Sequence, residues 1–372
     1  METRRSETLW ILYDALYCLG GAEKTTLTLM SAVDSAILCV DFADEKLLLG
    51  VRLPKERLRQ IGRPCHGPVP RLLKGLWNFR FRSGFLKQST RVLYSGSCAP
   101  VAVWNQGAGL SVLYCHTIPR FAYDLEKFYS RRLPAWQRPA FGLLAILVRA
   151  AYKRAFSKMD VVVANSENIR TRIRRYLGRE AVVVHPPVDT SRFRWMGQAD
   201  YYLSTARLED YKRVENVVRA FMTMPDKKLV VASGGGQLER LRALAAGFGN
   251  ISFTGWVSEE RLFELMGRCI ATLYVPLDED FGISPVESMA AGKPVIGVAE
   301  GGILETVVDK KTGLLGPPDP ESIARAVEKL TPKNARAMRR ACEQQARLFG
   351  RKIFIKKIVK ILAEDPPVKY RR

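Results

Sequence analysis

The chain has 372 residues, 47% of them hydrophobic, and carries 59 Lys+Arg against 37 Asp+Glu, a formal charge of +22. That length exceeds what one core usually holds and the apolar share excludes a disordered chain, so two domains are expected. The positive charge asks for an anionic partner: a nucleotide diphosphate, an acidic membrane surface or nucleic acid.

Seven cysteines (18, 39, 65, 98, 115, 269, 342) lie scattered, without a C-x-x-C pair. That pattern reads as reduced thiols in a cytosolic protein, not as a disulfide framework or a zinc site. The opening "METRRSETLWILYDALYCLGG" lacks an apolar stretch long enough for a signal peptide. The longest apolar run elsewhere, "PAFGLLAILV" (139–148), is about half of the roughly 20 residues that a bilayer crossing takes. The expectation is a protein that is soluble or lies on a membrane without spanning it.

In chain order, "TLWILYDAL" (8–16) reads as a strand, "GGAEKTTLTLMSAV" (20–33) as a glycine loop entering a helix, and "SAILCVDF" (35–42) as a second strand. Residues 43–90 are basic and carry no clear period. Within them "VPRLLKGLWNFRFRSGFLK" (69–87) interleaves cations with Leu, Trp and Phe. It suits either the interface of an anionic bilayer or a core helix with a basic outer face, and the two readings stand level. "TRVLYSGS" (90–97) and "LSVLYCHT" (110–117) are further strands, followed by a helical stretch over about 124–156 broken near "RRLPAWQRPA". "MDVVVANSENIRTRIRRYLG" (159–178) is strand, turn and helix, capped by Ser166 or Asn165.

A Pro pair without periodicity makes 186–200 a linker between a domain at 1–185 and a second at 201–345. From 201 to about 330 strands alternate strictly with helices: "YYLSTARL", "YKRVENVVRAFMTM", "KKLVVASGGG", "QLERLRALAAGF", "NISFTGWV", "SEERLFELMGRC". That is the signature of an α/β, doubly wound parallel sheet. Next, "CIATLYVPL" (269–277) is a strand, and "SPVESMAAG" (284–292) a short helix with Ser284 as cap, Pro285 at its first position and Gly292 as stop. "DEDFGI" (278–283) therefore falls beyond the carboxyl end of a strand, where open parallel sheets bind ligands. The remainder, 346–372, holds "RKIFIKKIVKIL" and a basic tail.

Several of these phrases belong together: Glu279-x7-Glu287 inside "EDFGISPVE", "ARLEDYKRVENVVRAF", "GGILETV" (301–307), "VDKKTGLL" and the early "GGAEK". As a set they resemble the retaining GT-B glycosyltransferases of family GT4, over nearly the whole chain and most strongly from about 160 to 330. Within that family "LYCHTIPRFAYDLEKFY", "ANSENIRTRIRRYLGREAVVVHPPVDTSRF" and "DEDFGISPVE" look most like bacterial and archaeal GDP-mannose-dependent mannosyltransferases of O-antigen and polysaccharide synthesis. The resemblance implies two Rossmann-like domains facing a cleft, the N-terminal one for the acceptor and the C-terminal one for the nucleotide sugar. It also implies a C-terminal helix that crosses back to the first domain.

On that resemblance Glu287 accepts ribose hydroxyls and Glu279 faces the transferred sugar, beside Asp280. The amides of Phe281, Gly282 and Ile283 sit at a helix N-terminus, which favours anions and hydroxyls. Arg207 and Lys212 supply fixed cations for the diphosphate as charge develops on it. Gly20 and Gly21 offer amides to the diphosphate or acceptor; by chemistry alone a glycine pair there serves helix packing equally well. His116, at a strand end, orients the donor sugar, with Arg120, Tyr123 and Asp124 nearby to read donor or acceptor, whereas His185 at the linker is incidental. Asp280 and Ser284 stand where many family members have Gly and Pro, which leaves the donor sugar open.

No metal or other cofactor is implied, since "DED" (278–280) fits the donor loop better than a metal site. The partners implied are a nucleotide-sugar donor, a glycan or polyprenyl-linked glycan acceptor, and an anionic membrane met through 69–87 and the basic C-terminus, but no nucleic acid. The place implied is cytoplasmic, on the inner face of the cytoplasmic membrane. A UDP-sugar transferase and a nucleotide-sugar epimerase remain alternatives. Another is a catalytically inactive basic protein that binds membrane or nucleic acid, against which the intact Glu279, Glu287, Arg207 and Lys212 set speaks.

Overall fold

The computed structural model of the protein describes residues 8–51 and 53–364. The chain divides into two units, one running to His185 and resuming at Ile355, the other Pro186–Phe354.

The first unit carries β1 (Leu9–Leu16), β2 (Ala36–Ala43), β3 (Leu58–Gln60), β4 (Arg91–Ser95), β5 (Leu110–Cys115), β6 (Val161–Ala164) and β7 (Val182–Val183). They form one parallel sheet in the order 3-2-1-4-5-6-7. A single row of side chains, Leu38, Ile11, Leu93, Val112 and Val161, crosses five of its strands in register. Helices cover both faces, which is why the strands read as near-continuous apolar runs instead of alternating ones.

The second unit carries β8 (Tyr202–Ser204), β9 (Leu229–Val231), β10 (Ile251–Phe253), β11 (Thr272–Tyr274), β12 (Val295–Val298) and β13 (Gly313–Gly316), all parallel, in the order 10-9-8-11-12-13. Most of its helices are short and two-faced. Val214–Met222, for example, buries Val214, Val217, Val218 and Phe221, the spacing of one helical face.

Residues 186–200 have almost no regular structure, yet they are anchored to the second unit. Phe193 is buried among Leu203, Leu265 and Met266 and meets the Phe263 ring edge-on at 4.9 Å. Trp195 lies over the fully buried Lys293, whose Nζ stands 3.4 Å from the ring centroid and donates to the Gly197 carbonyl at 2.6 Å. Contacts of this kind follow no period, so the sequence shows only a linker. At the other end, helix Arg351–Ala363 buries Phe354, Ile358, Ile361 and Leu362, and the Arg91 guanidinium donates to the Leu362 carbonyl. The basic tail beyond Glu364 lies outside the described residues.

The stretch 69–87 corrects one of its two readings. It contains helix Pro68–Phe81, which turns Gly75, Asn78 and Phe79 inward, but the outer face is not simply basic: Leu73, Trp77 and Phe81 are more than half exposed there.

Burial pulls the Lys293 pKa down to about 8 from 10.5. Between those values the unfolded chain binds more protons at this site than the folded one, so its contribution to stability rises with pH across that window. Lys293→Met should remove this slope. Melting curves taken from pH 8 to 10.5 should show the wild type gaining on the variant as the pH rises, and a constant difference would contradict the assignment.

Candidate active site

Strand order reverses between β1 and β4 in the first unit and between β8 and β11 in the second. Loops on either side of such a reversal depart in opposite directions and leave a crevice beyond the carboxyl ends of the strands.

In the second unit both loops at the reversal are tied together. The Leu277 N–H donates to the Tyr211 carbonyl at 2.7 Å. The Lys212 Nζ donates to Glu279 Oε2 at 2.6 Å and to the Tyr274 hydroxyl at 3.2 Å. The Lys212 and Glu279 side chains are 16% and 17% exposed, so the pair is shielded but reachable from solvent. Burial opposes the Lys212 charge, yet the Tyr274 and Glu279 oxygens outweigh it and push the pKa up. Tyr274 is held protonated by its own burial and by the neighbouring Glu279. Lys212 belongs to a 3₁₀ turn, Asp210–Lys212, and does not open the following helix. Arg213 intervenes in a left-handed conformation (φ 53°) and pairs with Glu300.

The acidic loop rests on the glycine pair 301–302. A Cβ on Gly301 would stand 2.6 Å from the Glu279 nitrogen, and one on Gly302 would stand 2.4 Å from the Asp280 carbonyl oxygen. The Gly302 N–H donates to the Glu279 carbonyl at 2.7 Å. Any side chain at either position would lift the loop.

Helix Ile283–Ala290 starts two residues earlier than its sequence indicates, with Gly282 as the N-cap at φ 91°. Ser284 and Pro285 therefore lie inside the first turn and are neither cap nor first residue. Proline costs nothing there because the first four N–H groups of a helix have no intrahelical acceptor. Gly282 reaches this conformation without the penalty that a Cβ brings. The Phe281 ring is buried and meets Phe349 edge-on at 5.4 Å, which fixes the loop from below. Asp280, Ile283 and Glu287 are partly exposed.

Arg207 stands three residues beyond β8 and is exposed. Its neighbour Leu208 is bound on both sides by the triple-glycine loop: its N–H donates to the Gly234 carbonyl at 3.0 Å and its carbonyl accepts from Gln237 N–H at 3.1 Å. Lys212 and Glu279 are thus brought together, while Arg207 points into solvent from a fixed base.

In the first unit the loop after β1 holds Gly20 and Gly21. The Gly20 N–H is already committed, donating to Glu23 Oε2 at 3.0 Å, while Glu23 Oε1 accepts from the Tyr13 hydroxyl at 2.7 Å. This corrects the expectation for Gly20. Its amide braces the turn, and the amides at the start of helix Gly21–Ala32 are the ones left for a ligand. Across the same reversal Asp14 accepts from the backbone N–H groups of Ser97, Cys98 and Ala99 at 2.6, 2.7 and 2.8 Å. Burial raises its pKa against these three donors, which favour the carboxylate.

His116 follows β5. Burial lowers its pKa to about 3, so the ring is neutral at ordinary pH. Its Nε2 is buried without a hydrogen-bond partner among the described residues. A neutral imidazole with a spare nitrogen can bind a hydroxyl, but it supplies no positive charge. Arg120 and Asp124 pair at 2.8 Å, with Arg172 4.0 Å from the same carboxylate oxygen. The trio joins the turn after His116 to helix Glu167–Leu177, where Ser166 is the cap. Tyr123 meets Tyr176 with ring centroids 5.4 Å apart. Among the described residues no group of three or more His, Cys, Asp or Glu side chains could hold a metal.

Sequence reading missed Tyr274, which looked like a core aromatic in an apolar strand, and Asp14, a lone charge in another. It also missed Glu23, although its spacing from Gly20 is that of a capping box.

The family described as "Glycosyltransferase Family 4" matches residues 19–192 and "Glycosyl transferases group 1" matches 191–349. This chain is a member of glycosyltransferase family 4. It is 42% identical over 106 residues to the alpha-1,3/1,6-mannosyltransferase ALG2 of Dictyostelium discoideum, covering 27% of this chain and 25% of that one. It is 30% identical over 224 residues to the GDP-mannose-dependent alpha-(1-6)-phosphatidylinositol monomannoside mannosyltransferase of Mycolicibacterium smegmatis, 52% of this chain and 59% of that one. The chain thus spans from a quarter to under two thirds of these curated relatives. Among solved structures, Anabaena HepE in complex with UDP and glucose superposes with a TM-score of 0.73 at 16% identity, over 96% of this chain and all of that one. Sucrose-phosphate synthase of Thermosynechococcus elongatus gives 0.74 at 17%, over 95% and 98%. These likenesses establish the GT-B fold that the family resemblance implied.

The ion pair joins Lys212 and Glu279 into one unit. Lys212→Met and Glu279→Gln should each lower kcat roughly a hundredfold or more. The double variant should lose little beyond either single one, because each change already disables its partner. Losses in kcat that multiply in the double variant would show that the two residues act independently.

Proposed function

We propose that the protein is a retaining hexosyltransferase that moves a mannosyl group from GDP-mannose to a glycan or polyprenyl-linked glycan in cell-surface polysaccharide synthesis. The observation that carries this reading is the shielded Lys212–Glu279–Tyr274 cluster where strand order reverses in the second unit. A diphosphate needs fixed positive charge, and a sugar needs hydrogen-bond acceptors a few ångströms away; this cluster offers both. The family supports the reading, as does the activity for which the Mycolicibacterium relative is named.

In this reading Lys212 and Arg207 take the diphosphate, the Gly282–Ile283 amides and Glu279 take the sugar, and Glu287 takes the ribose. Within the first unit, His116 and the amides of the Gly21 turn are the groups suited to a hydroxyl and an anion. The bond from sugar C1 to the β-phosphate oxygen breaks, and its electron pair stays on the phosphate, stabilised by the two cations. The acceptor oxygen bonds to C1 on the same face, and its proton passes to the departing phosphate. No metal or cofactor takes part, so activity should survive a chelator. The reading places the protein in the cytoplasm, against an anionic inner membrane surface met through 69–87 and the basic C-terminus. A UDP-sugar is the second donor reading, favoured by the UDP bound in the HepE structure.

A thermal-shift panel of GDP-mannose, UDP-glucose, UDP-GlcNAc and the free nucleotides decides the donor, because a ligand that binds only the folded form raises its melting point. GDP-mannose should give the largest shift, and Lys212→Met should abolish it. A shift with uridine nucleotides and none with GDP would replace mannose by a UDP-sugar.

A further inference from the structure

Two helices of the first unit leave large apolar side chains in solvent. On helix Pro68–Phe81, Val69, Leu73, Trp77 and Phe81 recur every fourth residue and are 45–63% exposed. On helix Arg138–Lys158, Leu143, Ile146 and Leu147 are 56–59% exposed, and Trp136, just before it, is 78% exposed. The helices are neighbours, since Leu72 and Leu76 of the first share a packed cluster with Leu144, Ala145 and Val148 of the second. Leu73 and Trp77 each follow a seam residue, and Leu143 and Leu147 each precede one. Both exposed rows therefore flank residues of the same packed cluster. A patch of this kind on a folded surface marks an interaction site.

Its charge setting selects the partner. No Asp or Glu occurs between Glu56 and Asp124, nor between Glu126 and Asp160. The same two helices and their flanks carry the exposed Arg71, Arg82, Arg131, Arg138 and Arg154. Trp77 and Phe81 stack with ring centroids 5.4 Å apart, and the Arg82 guanidinium lies 5.5 Å from the Trp77 ring. Apolar side chains with Trp among them, accompanied by cations and free of carboxylates, match an anionic lipid monolayer, where the chains insert and the cations meet headgroups. No helix among the described residues is long and apolar enough to cross a membrane, so the mode is interfacial.

We propose that the paired face of helices Pro68–Phe81 and Arg138–Lys158 docks the protein on an anionic bilayer, with helix Arg138–Lys158 an equal partner. This goes beyond a contact through 69–87 and the C-terminus, and it is independent of the donor chemistry. Flotation with phosphatidylcholine vesicles, with and without phosphatidylglycerol, tests it. The full chain should float only with the anionic vesicles. The double variants Trp77→Ser/Phe81→Ser and Leu143→Ser/Leu147→Ser should each weaken binding by about tenfold or more. Arg131→Gln/Arg138→Gln should weaken it without touching the apolar rows. Melting point and the thermal shift with donor should stay at wild-type values in all three, which separates this proposal from the transferase reading. Wild-type flotation of the Leu143/Leu147 variant would overturn the proposal. So would a self-associating chain that those same serines render monomeric while vesicles leave it unbound.

Discussion

A parallel sheet that reverses its strand order must send a pair of neighbouring loops in opposite directions, and in both units of this protein an ionisable side chain spans the resulting gap. In the second unit Lys212 reaches from the loop after β8 to Glu279 on the loop after β11. In the first, Asp14 at the end of β1 gathers three backbone N–H groups beyond β4. The same topology thus meets the same mechanical problem twice. The difference lies in what remains free. Asp14 is committed to backbone donors and serves as a staple, whereas the Lys212–Glu279 pair keeps some exposure and can be rearranged by a ligand.

The positions of these side chains depend on backbone that only glycine permits. The pair at 301–302 lets the acidic loop lie directly on the next strand's exit, and Gly282 turns the chain into the helix that carries Glu287. Gly235 comes equally close to the Leu208 backbone and keeps the Arg207 loop low. Chemistry-bearing residues here sit on loops, but those loops are held by hydrogen bonds and close contacts and not by length alone.

Much of this was legible in the sequence. Buried parallel strands announce themselves as apolar runs, and the helices of the second unit by their period, so most strands of both sheets and the loop bearing Glu279 could be placed from residues alone, whereas β3 lies in a stretch without period and Lys212 reads as part of the helix that follows it. Other features carry no period. Phe193 and Trp195 anchor a segment that reads as a linker, and Tyr274 is indistinguishable from a core aromatic until its hydroxyl is seen beside Lys212. The start of helix Ile283–Ala290 was misjudged because Ser–Pro is a strong opening signal, whereas the glycine before it sets the conformation. In 69–87 composition revealed an amphipathic stretch, but which face was apolar depended on the neighbouring helix and on what Leu72 and Leu76 pack against.

The close contact between Lys212 and Glu279 lets each side chain neutralise the other's charge. An arriving diphosphate must win the ammonium away from the carboxylate, and the liberated carboxylate then wants a hydroxyl donor of its own. A molecule that brings only one of the two groups leaves an orphaned charge behind. On the proposed function, the ion pair would therefore work as a coincidence gate, rewarding a phosphate and a sugar that enter joined and discouraging either half that comes alone.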